Sequence, residues 1–98
     1  MKEIRTESVD RLFKVISGLS SVEECYSFFQ DVCTVNEILD MAQRFDTAVM
    51  LYEGENYIKV AKKVGISTAT ISRVNKCLQN GNGGYRVAIE KLKAEENA

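Results

Sequence analysis

A chain of 98 residues, 45% apolar and 28% charged, has room for one small globular domain or one subunit of a small oligomer. It has no histidine, and its three cysteines (Cys25, Cys33, Cys77) form no C-x-x-C, which excludes a Cys/His metal site and a Cys–His catalytic pair and leaves the thiols as packed groups in a reducing compartment. The net charge of −1 hides a split: residues 56–89 carry Lys59, Lys62, Lys63, Arg73, Lys76 and Arg86 with no acid, while acids outnumber bases up to Glu55.

There is no proline, and apolar residues recur at helical rather than alternating spacing, so the expected fold class is all-α. No apolar run approaches the length of a membrane span and no signal peptide is visible, so the expectation is a cytoplasmic chain with no membrane partner.

The first helix is expected over Thr6–Ser17, with Val9, Leu12, Phe13 and Ile16 on one face and Gly18 as its stop. Ser20-x-x-Glu23 and Ser21-x-x-Glu24 both fit a capping box for the second. That helix carries Val22, Cys25, Tyr26, Phe28, Phe29, Val32 and Cys33, more than one stripe, so it is either a central core helix or a partner surface. Thr34-x-x-Glu37 opens a long third helix from Val35 to Glu53, closed by Gly54, and Asn56 is a fitting N-cap for a fourth.

From Tyr57 to Leu78 the pattern is a short helix, a tight turn and a second helix. Val60, Ala61 and Val64 face inward, and Gly65 suits a left-handed helix end. Ile66 plugs the turn and Ser67 caps the next helix, whose buried face is Ile71, Val74 and Leu78. Several constraints agree at fixed offsets, which makes this a helix-turn-helix over residues 56–79.

The outward residues Ser67, Thr68, Ala69, Thr70, Ser72, Arg73, Asn75 and Lys76 are short, polar or basic, as a helix entering a DNA major groove requires. Lys59, Lys62, Lys63 and Arg86 are read as phosphate contacts that set the register. The alternative is a solvated, well-capped helix in a protein-interaction module that reads no DNA. Gln79 to Gly84 is a flexible connector: no strand precedes it and no Gly-Lys-Ser/Thr succeeds it, so it is not a phosphate loop. A last helix begins near Tyr85, with Tyr85, Ile89 and Leu92 on one face, and ends in a frayed Lys93–Ala98 tail.

These residues carry a resemblance to the Trp repressor family, clearest over Cys33–Leu78 and above all in GISTATISRVNKCL, where Ala69-Thr70-Ile71-Ser72-Arg73 matches the recognition helix closely. The whole chain is most similar to the Trp-repressor-related YerC/YecD subgroup. The resemblance implies a bacterial regulator with a six-helix fold and an intertwined homodimer. In it, residues 6–55 and 85–96 of the single domain 1–98 serve dimerisation and 56–79 form a reading head. Twofold symmetry then implies half-sites about one DNA turn apart, ~34–36 Å.

The resemblance also implies a corepressor between the long helix and the recognition helix. Thr34, Arg44 and Arg73 match residues that hold or flank it, Arg44 meeting a carboxylate. This chain departs from the family where Val74 replaces a glycine that makes room for an indole and Cys77 replaces a serine hydroxyl. With Thr34, Arg44, Arg73, Val74 and Cys77 as the candidate effector set, the expectation is that tryptophan is not the effector, and that a different small carboxylate or none is used. The other reading of Arg44 is an intersubunit or intrahelical ion pair with Asp40 or Asp46, Asp40 lying at i−4. The expected function is a sequence-specific regulator of transcription, a repressor, with double-stranded DNA as partner. No cofactor, metal or enzymatic activity is expected, since no nucleophile–base pair or paired carboxylates are organised.

Overall fold

The structure, a computed structural model, describes residues 4–97. Six helices occur in order: α1 (Glu7–Ser17), α2 (Val22–Val32), α3 (Val35–Tyr52), α4 (Tyr57–Val64), α5 (Thr68–Asn80) and α6 (Gly84–Glu96). There is no strand among the described residues.

Each of the first five helices begins at a side chain that accepts a bond from, or lies in a box with, one of its free N–H groups. Thr6 Oγ1 accepts from Val9 N at 3.1 Å. At α2 both serines bond one residue: Ser21 Oγ accepts from Glu24 N, and the Glu24 carboxylate in turn accepts from the N–H and the hydroxyl of Ser20, all at 3.1 Å. The box at α3 is reciprocal. Glu37 N donates to Thr34 Oγ1 at 3.1 Å and Thr34 N donates to Glu37 Oε1 at 2.8 Å.

These bonds, the one from the Thr34 backbone first, hold the Glu37 carboxyl below its ordinary value of 4.5. A lowered folded-state value means that the cap contributes fully at neutral pH and is lost as pH falls through that value. Glu37→Gln is therefore expected to flatten the loss of stability on acidification, read as urea midpoints at neutral pH and at about pH 3. An acid slope equal to that of the wild type would contradict the assignment.

The chain falls into two compact units, Met1–Ile38 and Leu39–Ala98. The first unit holds α1, α2 and the opening of α3. Neither α1 nor α2 has a single buried residue. Phe13 is 55% exposed, Tyr26 58% and Val22 71%. Within the first unit Cys25, Phe28 and Phe29 of α2 are half-buried, while Val22, Tyr26 and Val32 stay exposed.

The second unit has a layered interior. Ala48 of α3, Val74 and Leu78 of α5 and Ile89 of α6 form its core, with Phe45, Val49, Leu51, Tyr52 and Tyr85 packed against them. Thr47 is buried without penalty because its hydroxyl donates to Gln43 O at 2.8 Å. The frayed tail expected from Lys93 onward is corrected: α6 continues to Glu96. Lys93 Nζ lies 2.7 Å from Glu53 Oε2, which fastens this end of α6 to the end of α3. The bond to Glu53 raises the Lys93 pKa, so its contribution persists at neutral pH and is lost only as pH rises past the usual lysine range.

Candidate nucleic-acid interface

The helix-turn-helix forms from the cues in its sequence. Asn56 Oδ1 accepts from Lys59 N at 2.9 Å and starts α4. Gly65 ends it at φ 78° and ψ 36°, a left-handed conformation costly for other residues, and its N–H reaches Ala61 O at 2.9 Å. Ser67 Oγ then accepts from Thr70 N at 3.2 Å to open α5. Val60 and Ile71 are fully buried between the two helices. That wedge holds α5 with its other face outward.

Ser67, Thr68, Ala69, Ser72, Arg73 and Lys76 are exposed, whereas Thr70 and Asn75 are half-buried. The Ser67 and Thr70 hydroxyls lie 3.0 Å apart and pair with each other. On α4, Lys59, Lys62 and Lys63 are exposed. Among the described residues the side chains of Lys59, Lys62, Arg73 and Lys76 form no ion pair or hydrogen bond, so their charge faces solvent unneutralised. Lys63 differs: its Nζ sits 3.0 Å from Glu55 Oε1. Arg86, read from sequence as a phosphate contact, is corrected more strongly. Its guanidinium is taken up by Leu78 O and the Gln79 side chain at 3.1 and 3.0 Å.

Beside α5 lies a cavity of about 560 Å³. Asp40, Gln43 and Arg44 of α3 and Thr70, Arg73, Val74 and Cys77 of α5 line it, with Ile66 and Tyr85. Four of the five candidate effector residues therefore share one cavity. Thr34 belongs to the first unit, where its hydroxyl and N–H are engaged in the α3 cap. The intrahelical form of the Arg44 ion pair is not present, since Arg44 pairs with neither Asp40 nor Asp46 of its own chain among the described residues. Two guanidiniums, Arg44 and Arg73, thus border the cavity without carboxylate partners. Val74 is only 2% exposed and belongs to the core as well as to the cavity wall.

Sequence reading missed Gln43 as a lining residue, although residues 40, 43 and 44 carry the i, i+3, i+4 spacing of one helix face. Tyr85 had no local signal, because only the course of the connector brings it to Phe45, ring centroids 6.5 Å apart.

Among proteins of known sequence, the chain is similar to the uncharacterised protein YerC of Bacillus subtilis (strain 168), with 48% identity over 94 residues, 96% of this chain and 90% of that one. The fold matches the crystal structure of a TrpR-like protein from Eubacterium eligens ATCC 27750 at a TM-score of 0.89 and 50% identity, covering 92% of this chain and 93% of that one. It also matches that of a candidate Trp repressor from Staphylococcus aureus at 0.88 and 43%, covering 92% and 90%. The family model described as "Trp repressor protein" matches residues 7–93. The chain therefore belongs to the Trp repressor family, a family of regulators.

Proposed function

We propose that this protein is a sequence-specific DNA-binding regulator of transcription, a repressor, that works as a homodimer. The observation that carries the reading is the outer face of α5: exposed Ser67, Thr68, Ala69, Ser72, Arg73 and Lys76, held outward by a buried wedge in a segment without acids. Arg73 suits a guanine edge and Ala69 a thymine methyl. Lys59, Lys62 and Lys76, unpaired, suit phosphates. The family match and the likeness to a candidate Trp repressor support the same reading. No helix among the described residues is long and apolar enough to cross a membrane.

The test is fluorescence-anisotropy binding to a duplex enriched from a random-sequence library and to its scrambled counterpart, across a salt series. Selective, salt-dependent binding is expected. Arg73→Ala with Thr70→Ala is expected to reduce the preference by about tenfold or more, one good base contact being worth ~1–3 kcal/mol. Equal, weak binding to both duplexes, unchanged in the double variant, would favour a protein-interaction module instead.

No tryptophan requirement is proposed. The support is Val74, which fills the core where the family has room for an indole. The unpaired Arg44 and Arg73 leave the cavity suited to a smaller carboxylate. Adding tryptophan to the same titrations is expected to change nothing; a tryptophan-dependent gain in affinity overturns the claim.

The dimer is supported by the exposed apolar residues of α1 and α2, Phe13, Val15, Val22, Tyr26 and Val32. Light scattering is expected to give twice the chain mass of 11.0 kDa. Tyr26→Asp is expected to shift the protein towards the monomer. A wild-type monomer at micromolar concentration would refute the assembly.

A further inference from the structure

Three helix ends meet at Arg86. Its Nε donates to Leu78 O at 3.1 Å and its Nη2 donates to Gln79 Oε1 at 3.0 Å, both in the last turn of α5. Its guanidinium carbon lies 5.8 Å from the centre of the Tyr52 ring, at the end of α3. The Tyr52 hydroxyl in turn contacts Glu90, one turn further along α6, at 3.3 Å. All of these residues belong to the second compact unit.

The arrangement answers a local deficit. The last carbonyls of a helix have no partners within it. Helix α5 has no basic residue of its own in the last turn. Gly81 is not in the left-handed conformation that usually closes a helix, and its N–H reaches only Cys77 O. The cation from α6 therefore takes the Leu78 carbonyl, where the helix dipole favours positive charge. A planar guanidinium held by two acceptors and an aromatic face fixes direction as well as distance, which an ammonium does not.

We propose that Arg86 is a positioning residue for DNA reading. By fastening the C-terminal end of α5 to α3 and α6, it sets the angle at which Thr68 to Lys76 are presented. Two of its N–H groups are engaged inside the fold, which assigns it to orientation rather than to a direct phosphate contact. This role rests on the DNA-binding reading above.

The test uses Arg86→Lys, Arg86→Gln and Gln79→Ala, with Lys62→Gln as a phosphate-contact control. Affinities are measured for the library-enriched duplex and its scrambled counterpart across a salt series, with folding checked by circular dichroism. Both Arg86 variants are expected to lower the affinity ratio between the two duplexes by roughly tenfold, the worth of about one misread base pair, without changing the salt slope. Gln79→Ala is expected to lower it by about threefold. Lys62→Gln is expected to weaken both duplexes alike and to reduce the slope by about one.

An Arg86→Lys protein that keeps the wild-type ratio overturns the proposal, as does a uniform loss with a shallower slope, the mark of a phosphate contact. A lowered melting temperature with an unchanged ratio also overturns it, since that is support without positioning. If the Arg86 variants do not fold, Gln79→Ala decides, and an unchanged ratio there counts against the role. A selective wild type with unaffected variants removes the Arg86 role alone; a wild type with no preference removes the DNA reading and this role together.

Discussion

Ile89→Ala is expected to destabilise the second unit by about 2–5 kcal/mol, read as a lower urea midpoint with an unchanged slope. Ile89 is fully buried and touches the layer formed by Ala48, Val74 and Leu78. Alanine loses the transfer free energy of the deleted carbons and leaves a void that the packed helices α3 and α5 fill only in part. Against a typical total of ~5–15 kcal/mol this is a large share. Ile89→Val keeps most of the volume and is expected to cost about 0.5–1.5 kcal/mol. Because the same layer backs the reading helix, the alanine protein should also lose duplex preference at temperatures below its melting. A cost under about 1 kcal/mol would mean that α6 is not seated as described.

The second large effect is expected at Gly81. A Cβ there would collide with Cys77 O, with Cys77 C and Cα at 3.1 and 3.2 Å. The obstacle is backbone, which cannot swing aside, so Gly81→Ala must displace either the connector or the end of α5. The expected cost is about 3 kcal/mol, the upper part of the range for overpacking. The displacement also threatens the Gly81 N–H bond to Cys77 O. Two neighbours serve as internal comparisons. Gly83 has open space around it but a φ of +83°, so alanine there is expected to cost about 1–2 kcal/mol from backbone strain alone. Gly84 has open space and begins α6, so alanine should be neutral or stabilising by up to ~1 kcal/mol. Thermal melts of the three variants should rank Gly81 worst and Gly84 best; any other order contradicts the geometry of the connector.

That ranking could not have come from the sequence, where the glycines look alike, as parts of one flexible stretch. What was legible there was local. Asn56, Ser67 and the Thr34–Glu37 box cap their helices because capping depends on residues three apart. Gly65 ends α4, and Ile71, Val74 and Leu78 are buried, because a helix period fixes which residues share a face. The outward set of α5 emerged by subtraction.

What was not legible depends on residues distant in the chain. The Lys93–Glu53 pair that extends α6 spans 40 positions. Arg86 looked like one more surface cation until the connector turned it back onto Leu78. Thr34 was placed in the effector set by resemblance, while its own local chemistry engaged it in a cap. Asp40 stands one turn before Arg44 and still does not pair with it, so spacing permitted a contact that the side chains do not make.

The absence of any buried residue in α1 and α2 has a consequence for how the regulator would respond in a cell. Helices of 11 residues are marginal on their own in water. If a second copy covers them, as the proposed homodimer requires, their stabilisation and assembly become one bimolecular event. The supply of competent readers then rises more steeply than the supply of chains. On the proposed reading of a dimeric repressor, few chains would leave its DNA site open and a modest increase in synthesis would close it, so that dosage itself would act as a threshold.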